Sequence, residues 1–141
     1  MMHAAGRPYR VHTLRMLPGD DVRLSLQSWC EQNGIEAAAI VSAVGSLSHA
    51  RIRFGGKQDG AFVEGNLEVC ALSGTLSKHG MHVHLAVADG DGRMTGGHML
   101  QGCLVRTTLE VVIQEIGGVR FARRPDEHTG YDELFPEEIK P

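Results

Sequence analysis

From residue 36 onward the chain is broken into short apolar runs by glycine, asparagine and aspartate. Such brief runs suit strands rather than helices. Turn chemistry is explicit at Gly45-Ser46, Gly55-Gly56, Asp89-Gly90-Asp91-Gly92 and Gly117-Gly118, and Asp-Gly pairs favour hairpins that need positive φ. Strands are therefore predicted over 37–45, 48–54, 61–64, 66–75, 81–88, 94–100, 103–115 and 118–122. Ahead of this block, residues 9–17 read as a first strand that Pro18-Gly19 closes. Asp20 and Asp21 then supply an N-cap and first-turn acid, Val22, Leu26, Trp29 and Cys30 share one helical face, and Gly34 is a stop signal. One helix beside a largely antiparallel meander predicts an α+β domain.

A length of 141 residues suits a single core. The net charge of -3 gives no overall basic surface to attract nucleic acid, and aromatics at 5% are too few for a base-stacking platform. No apolar run approaches the roughly 20 residues of a membrane-spanning helix. Cys30, Cys70 and Cys103 form no C-x-x-C pair, so they are expected to be reduced, buried thiols of a cytoplasmic protein. The segment Met1–Gly6 has no apolar stretch of the secretory kind. The expected organisation is a flexible N-terminus over 1–7, a domain over 8–123 and a polar, acidic tail over 124–141 laid on the surface or a neighbour.

The segment Met81–Ala88 carries the chemistry. Alternate residues of a strand share a face, so Met81, Val83, Leu85 and Val87 form a core face and His82, His84, Ala86 and Ala88 the other. A solvated face usually shows lysine, glutamate, threonine or serine. Two imidazoles followed by two small side chains point instead to a cleft or a subunit junction, although a solvated pair of histidines also fits. Beyond the Asp-Gly-Asp-Gly turn, Gly96-Gly97-His98 offers a third imidazole where the backbone can approach closely. If the two segments pair in register, His82, His84 and His98 could hold a divalent ion with a position left open. A slip of one residue would turn His98 away, and His79 is the substitute ligand.

Chemistry at such a site needs an acid or base in reach. Arg106 and Glu110 share a face of strand 103–115 and could act as anion clamp and proton shuttle, or merely as a cross-strand ion pair. Asp89–Gly92 lacks the further oxygen ligands of a calcium loop and reads as a hairpin turn.

Taken together, Gly80-Met81-His82-Val83-His84, Asp89-Gly90, Gly96-Gly97-His98 and Leu109–Ile113 resemble the PPC domain, the domain conserved between plants and prokaryotes. Leu67-Glu68-Val69, Leu72–Thr75 and Thr129-Gly130-Tyr131 with Leu134 extend the likeness over about residues 7–135. The resemblance implies one helix on a curved antiparallel sheet, similar to acetolactate decarboxylase, and assembly as a homotrimer. It also implies a zinc site on His82, His84 and His98. The function expected is to bind, or act on, a small anionic ligand by metal-assisted lyase or hydrolase chemistry. The alternative is a DNA-binding or regulatory module, the label the family often carries. Ala5-Gly6-Arg7-Pro8 falls one arginine short of an AT-hook, so DNA contact would rest on local patches at Arg120, Arg123 and Arg124 or at Arg51, Arg53 and Lys57.

Overall fold

The computed structural model describes residues 1–139. In chain order the elements are β1 (Arg7–Met16), α1 (Val22–Gln32), β2 (Ala38–Arg53), β3 (Gly60–Ser77), β4 (Gly80–Ala88), β5 (Met94–Met99), β6 (Leu104–Gly117), β7 (Val119–Pro125) and β8 (Asp132–Glu138). The α+β architecture expected from the sequence is the one that forms.

α1 begins where its cap predicts. Asp21 accepts a hydrogen bond from the Leu24 amide at 3.1 Å, and its second carboxylate oxygen accepts from the Gly102 amide at 2.7 Å. One carboxylate thus caps the helix and ties it to the loop before β6. Val22, Leu26 and Cys30 are buried on the inner face, and Gly34 ends the helix at a φ of 64°.

Six antiparallel strands pair in the order β1-β6-β2-β3-β4-β5, and the end of β2 also pairs with β5. β2, β3, β4 and β5 therefore close into a ring, which β6 and β1 extend as a curved sheet. Alternation sends Ile52, Leu67, Val83, Leu85 and Met99 inward, where they meet Leu26 of α1 and Leu109 and Ile113 of β6 in one apolar cluster. Burial on this scale is what holds the strands in register.

Several expectations change in detail. The predicted breaks near residues 46 and 65 are absent, so two pairs of short strands merge into β2 and β3. Gly45 does not end its strand: a Cβ there would lie 2.0 Å from the Thr108 carbonyl oxygen, so it permits β2 to press against β6. Register shifts on either side of Leu47 absorb the irregularity. Cys30 and Cys103 are buried, but Cys70 is exposed because it alternates with the inward Leu67 and Val69 on β3. The segment expected as a polar tail forms β8, which pairs with β7 in a separate two-stranded sheet. At the N-terminus, β1 starts at Arg7, and the Ala5 amide donates to Glu138 of β8.

Candidate metal centre and anion cleft

β4 has the two faces its alternation predicts. Met81, Val83, Leu85 and Val87 are buried, whereas His82 and His84 stand on the outside of the ring. Across the strands, His84 sits opposite His98 of β5, and His98 in turn sits opposite Arg53 of β2. On the other side, His84 and His82 face Ser73 and Thr75 of β3. Directly opposed residues share a face, so three histidines and an arginine gather on one patch.

Two glycines make this possible. A Cβ on Gly97 would lie 2.6 Å from the Arg53 carbonyl oxygen, so only glycine lets β5 reach β2 and bring His98 beside Arg53. A Cβ on Gly74 would meet the His82 carbonyl oxygen at 2.1 Å, so β3 can lie close behind the imidazoles.

The three rings converge. Their centroids are 5.0, 5.1 and 6.0 Å apart, and one nitrogen from each lies within 4.8 Å of the others. The Nε2 atoms of His82 and His84 are 3.2 Å apart. A tetrahedral ion with nitrogen bonds of ~2.0–2.1 Å spaces its ligands by roughly 3.4 Å, so modest side-chain rotation would let this set grip one ion. Burial, then the charge of Arg53, holds His98 at about 4, below its usual 6.5. Desolvation and the neighbouring His84 and Arg123 also lower His82, against the opposing pull of Glu133. Neutral imidazole is the form that ligates metal.

A cleft of about 350 Å³ opens beside the triad, lined by Arg53, the Phe54–Gln58 turn, Gly97 and Tyr131. A second, of about 240 Å³, lies between His82, His98, Arg53, Arg123 and the residues Tyr131, Asp132 and Glu133. The Arg123 Nη2 donates to Thr75 Oγ1 at 2.9 Å. The Arg53 guanidinium stacks 5.2 Å over the Tyr131 ring.

The other sequence candidates go elsewhere. Arg106 and Glu110 are exposed on β6, which β2 and β3 separate from β4, and neither lines these clefts. Their shared face was legible, but the order of strands was not. His79 donates to Glu36 at 2.9 Å rather than joining the triad. His12 is half-buried, donates to Glu115 at 2.9 Å and packs edge-on against Trp29. Arg123 and Glu133 were missed as site residues. The only hint was a basic cluster near residue 123, and long-range pairing of β7 and β8 decided which of its members turned inward.

A family model for the Plants and Prokaryotes Conserved (PCC) domain matches residues 3–117. The chain belongs to this family. The match to the Plants and Prokaryotes Conserved domain ends before β7, so Arg123, Tyr131 and Glu133 lie past it. Among curated relatives, the bifunctional protein GlmU of Synechococcus sp. (strain JA-3-3Ab) is 44% identical over 143 residues, covering 96% of this chain and 23% of that protein. The chain thus spans about a quarter of its length. A solved protein from Salmonella cholerae-suis, described as hypothetical, is 43% identical with a TM-score of 0.91, covering 96% of this chain and 98% of that one. A metal-containing protein from Archaeoglobus fulgidus is 27% identical with a TM-score of 0.79, covering 96% and 99%. A protein provisionally named as DNA-binding, from Ralstonia eutropha JMP134, is 25% identical with a TM-score of 0.72 and 90% of each chain covered. No helix among the described residues is long and apolar enough to cross a membrane.

Proposed function

We propose that the protein is a small cytoplasmic homotrimer in which His82, His84 and His98 hold one divalent ion, zinc first, beside a cleft that binds or acts on a small anionic ligand. The convergence of three imidazoles within 4.8 Å carries this reading. The chemistry of the donors agrees with it: three neutral nitrogens suit zinc and leave a coordination position open. The Archaeoglobus relative, described as metal-containing, adds support. When bound, such an ion supplies Lewis acidity. The chain's own residues orient and exclude: cross-strand pairing fixes the three imidazoles, and the Phe54–Gln58 turn and Tyr131 border the cleft. For the trimer, the exposed Val41, Val44 and Phe62 offer apolar surface to a neighbouring copy.

Metal analysis of untagged protein tests the reading. About one ion per chain is expected, lost in His82→Ala while the fold and assembly persist. Metal retained by His82→Ala, or absent from the unaltered protein after exposure to zinc, overturns it.

The name of the Ralstonia relative favours a second reading, a DNA-associated module. Its expected mark is retention on duplex DNA that falls steeply with salt. Of the basic cluster at 120–124, Arg120 is already paired with Glu36 and Arg124 with Glu137, which leaves Arg123 as the cation turned to the cleft.

A further inference from the structure

We propose that the β7–β8 hairpin completes a subsite for a small oxoanion of two or more negative charges, gripped by Arg53 and Arg123 beside the triad. The inference rests on the metal reading for its setting, but its own warrant is the distribution of cations around the cleft. Arg53 stands directly opposite His98 across the strands, and Arg123 reaches the other flank through Thr75, the residue opposite His82. The two guanidinium groups therefore bracket the imidazoles from β2 and from β7, and both line the cleft of about 240 Å³.

Neither the geometry nor the charge is closed within the chain. The Nε of Arg123 is buried and has no hydrogen-bond partner among the described residues, and the same holds for Nη1 of Arg23 on α1. Arg23 is near enough for its charge to act on both His98 and Arg123. Buried guanidinium nitrogens without partners are costly, and they leave part of the positive charge uncompensated among the described residues. Three arginines thus act on the site, and only Glu133 and Asp132 among its lining residues oppose them. A divalent ion would raise the positive charge further. With that ion, the three arginines and two carboxylates leave a net three positive charges, which a dianion offsets further than a monoanion. A planar fork presents two parallel donors, the geometry that suits carboxylate or phosphate. The available volume admits a ligand of a few heavy atoms, such as a short dicarboxylate or a phosphoryl group. Tyr131, stacked on Arg53, holds that guanidinium in place at the cleft mouth.

The test is calorimetry on the full chain with malonate, inorganic phosphate and acetate, alongside a separate zinc-affinity measurement by chelator competition. Malonate or phosphate is expected to bind at least about tenfold more tightly than acetate, since each charge-assisted pair adds more than a neutral hydrogen bond. Which of the two binds better assigns the carboxylate or the phosphoryl source. Arg53→Gln and Arg123→Gln are each expected to lose about tenfold or more in dianion affinity while zinc affinity stays within about threefold. Arg123→Lys, which keeps charge but not the fork, is expected to fall between and covers the case in which Arg123→Gln misfolds. Equal affinity for acetate and malonate, or dianion binding indifferent to both arginines while zinc is held, overturns the subsite and leaves the metal reading standing. Failure to hold zinc overturns the metal reading alone. The same titrations of metal-free protein then decide for or against the arginine pair.

Discussion

Two clusters of charge share strand β7, and they differ in how fully their partners are present. In one, Glu36 receives hydrogen bonds at 2.9 Å from His79 and at 2.7 Å from Arg120, and pairs with Lys78. Burial alone would raise the carboxyl of Glu36, but these three partners outweigh it and bring its pKa to about 2. In the other, the imidazoles of His82, His84 and His98 face Arg53 and Arg123, whose charges repel any added proton. β7 serves both, through Arg120 in the first and Arg123 in the second. The first cluster is complete and fastens the β3–β4 turn to β7. The second gathers donors and cations that Thr75, Tyr131 and Glu133 satisfy only in part among the described residues, which is the arrangement expected of a place that receives something. Closed clusters stabilise; open ones bind.

The strongest way to break this contrast is to supply what the open cluster lacks. Saturating zinc, at about a hundred times its dissociation constant, is expected to stabilise the protein by about 2.7 kcal/mol, because only the folded state brings the three ligands together. Thermal unfolding with and without the ion measures it. His98→Ala should abolish the gain, whereas Glu36→Gln should keep it. A zinc-dependent shift that survives His98→Ala would place the ion elsewhere.

The closed cluster should respond in the opposite manner. Glu36→Gln leaves Lys78, His79 and Arg120 facing one another without their carboxylate, and partial exposure screens the loss to on the order of 1 kcal/mol. Denaturant unfolding at neutral pH measures it, with zinc affinity unchanged. Acid gives the same answer independently. The folded pKa of Glu36, about 2, lies below its ordinary 4.5. Its contribution is therefore fully present above 4.5 and is lost as pH falls through that window toward 2. Glu36→Gln is expected to lose less stability than the unaltered protein across that window. Parallel acid curves would show that the cluster holds nothing.

These two clusters were unequally legible in the sequence. The histidines were readable because alternation on Met81–Ala88 is local and because Gly96-Gly97 announces a close approach just before His98. The inward set Met81, Val83, Leu85 and Val87 was readable for the same reason, and all four are buried. Arg53 and Arg123 were not, since their places depend on pairings between β2 and β5 and between β7 and its neighbours, which no local rhythm encodes. Arg106 and Glu110 illustrate the converse: their shared face is real, but strand order carries it away from the triad. β8 was hidden by its acidic residues and Pro136, which suit a strand in a two-stranded edge sheet more than a central one. The long β2 was split in expectation because Gly45 carries the signal of a turn, while its actual task is steric.

The smallest expected effect sharpens the contrast most finely. Arg124 is the immediate neighbour of Arg123, so in a strand the two point to opposite sides. Arg124 is exposed, pairs with the half-buried Glu137 and stacks 3.7 Å over the ring of Phe135, all within the β7–β8 sheet. Arg124→Gln is therefore expected to change stability by no more than about 0.5 kcal/mol. It removes the same unit of charge as Arg123→Gln from a point one residue away, yet should leave malonate and zinc binding unaltered. If the cleft merely sampled the total positive charge of the hairpin, both variants would weaken dianion binding, and the deficit of each against the unaltered protein would shrink alike as salt was raised. A loss confined to Arg123→Gln means that a particular fork aimed beside His82, rather than a diffuse field, does the gripping.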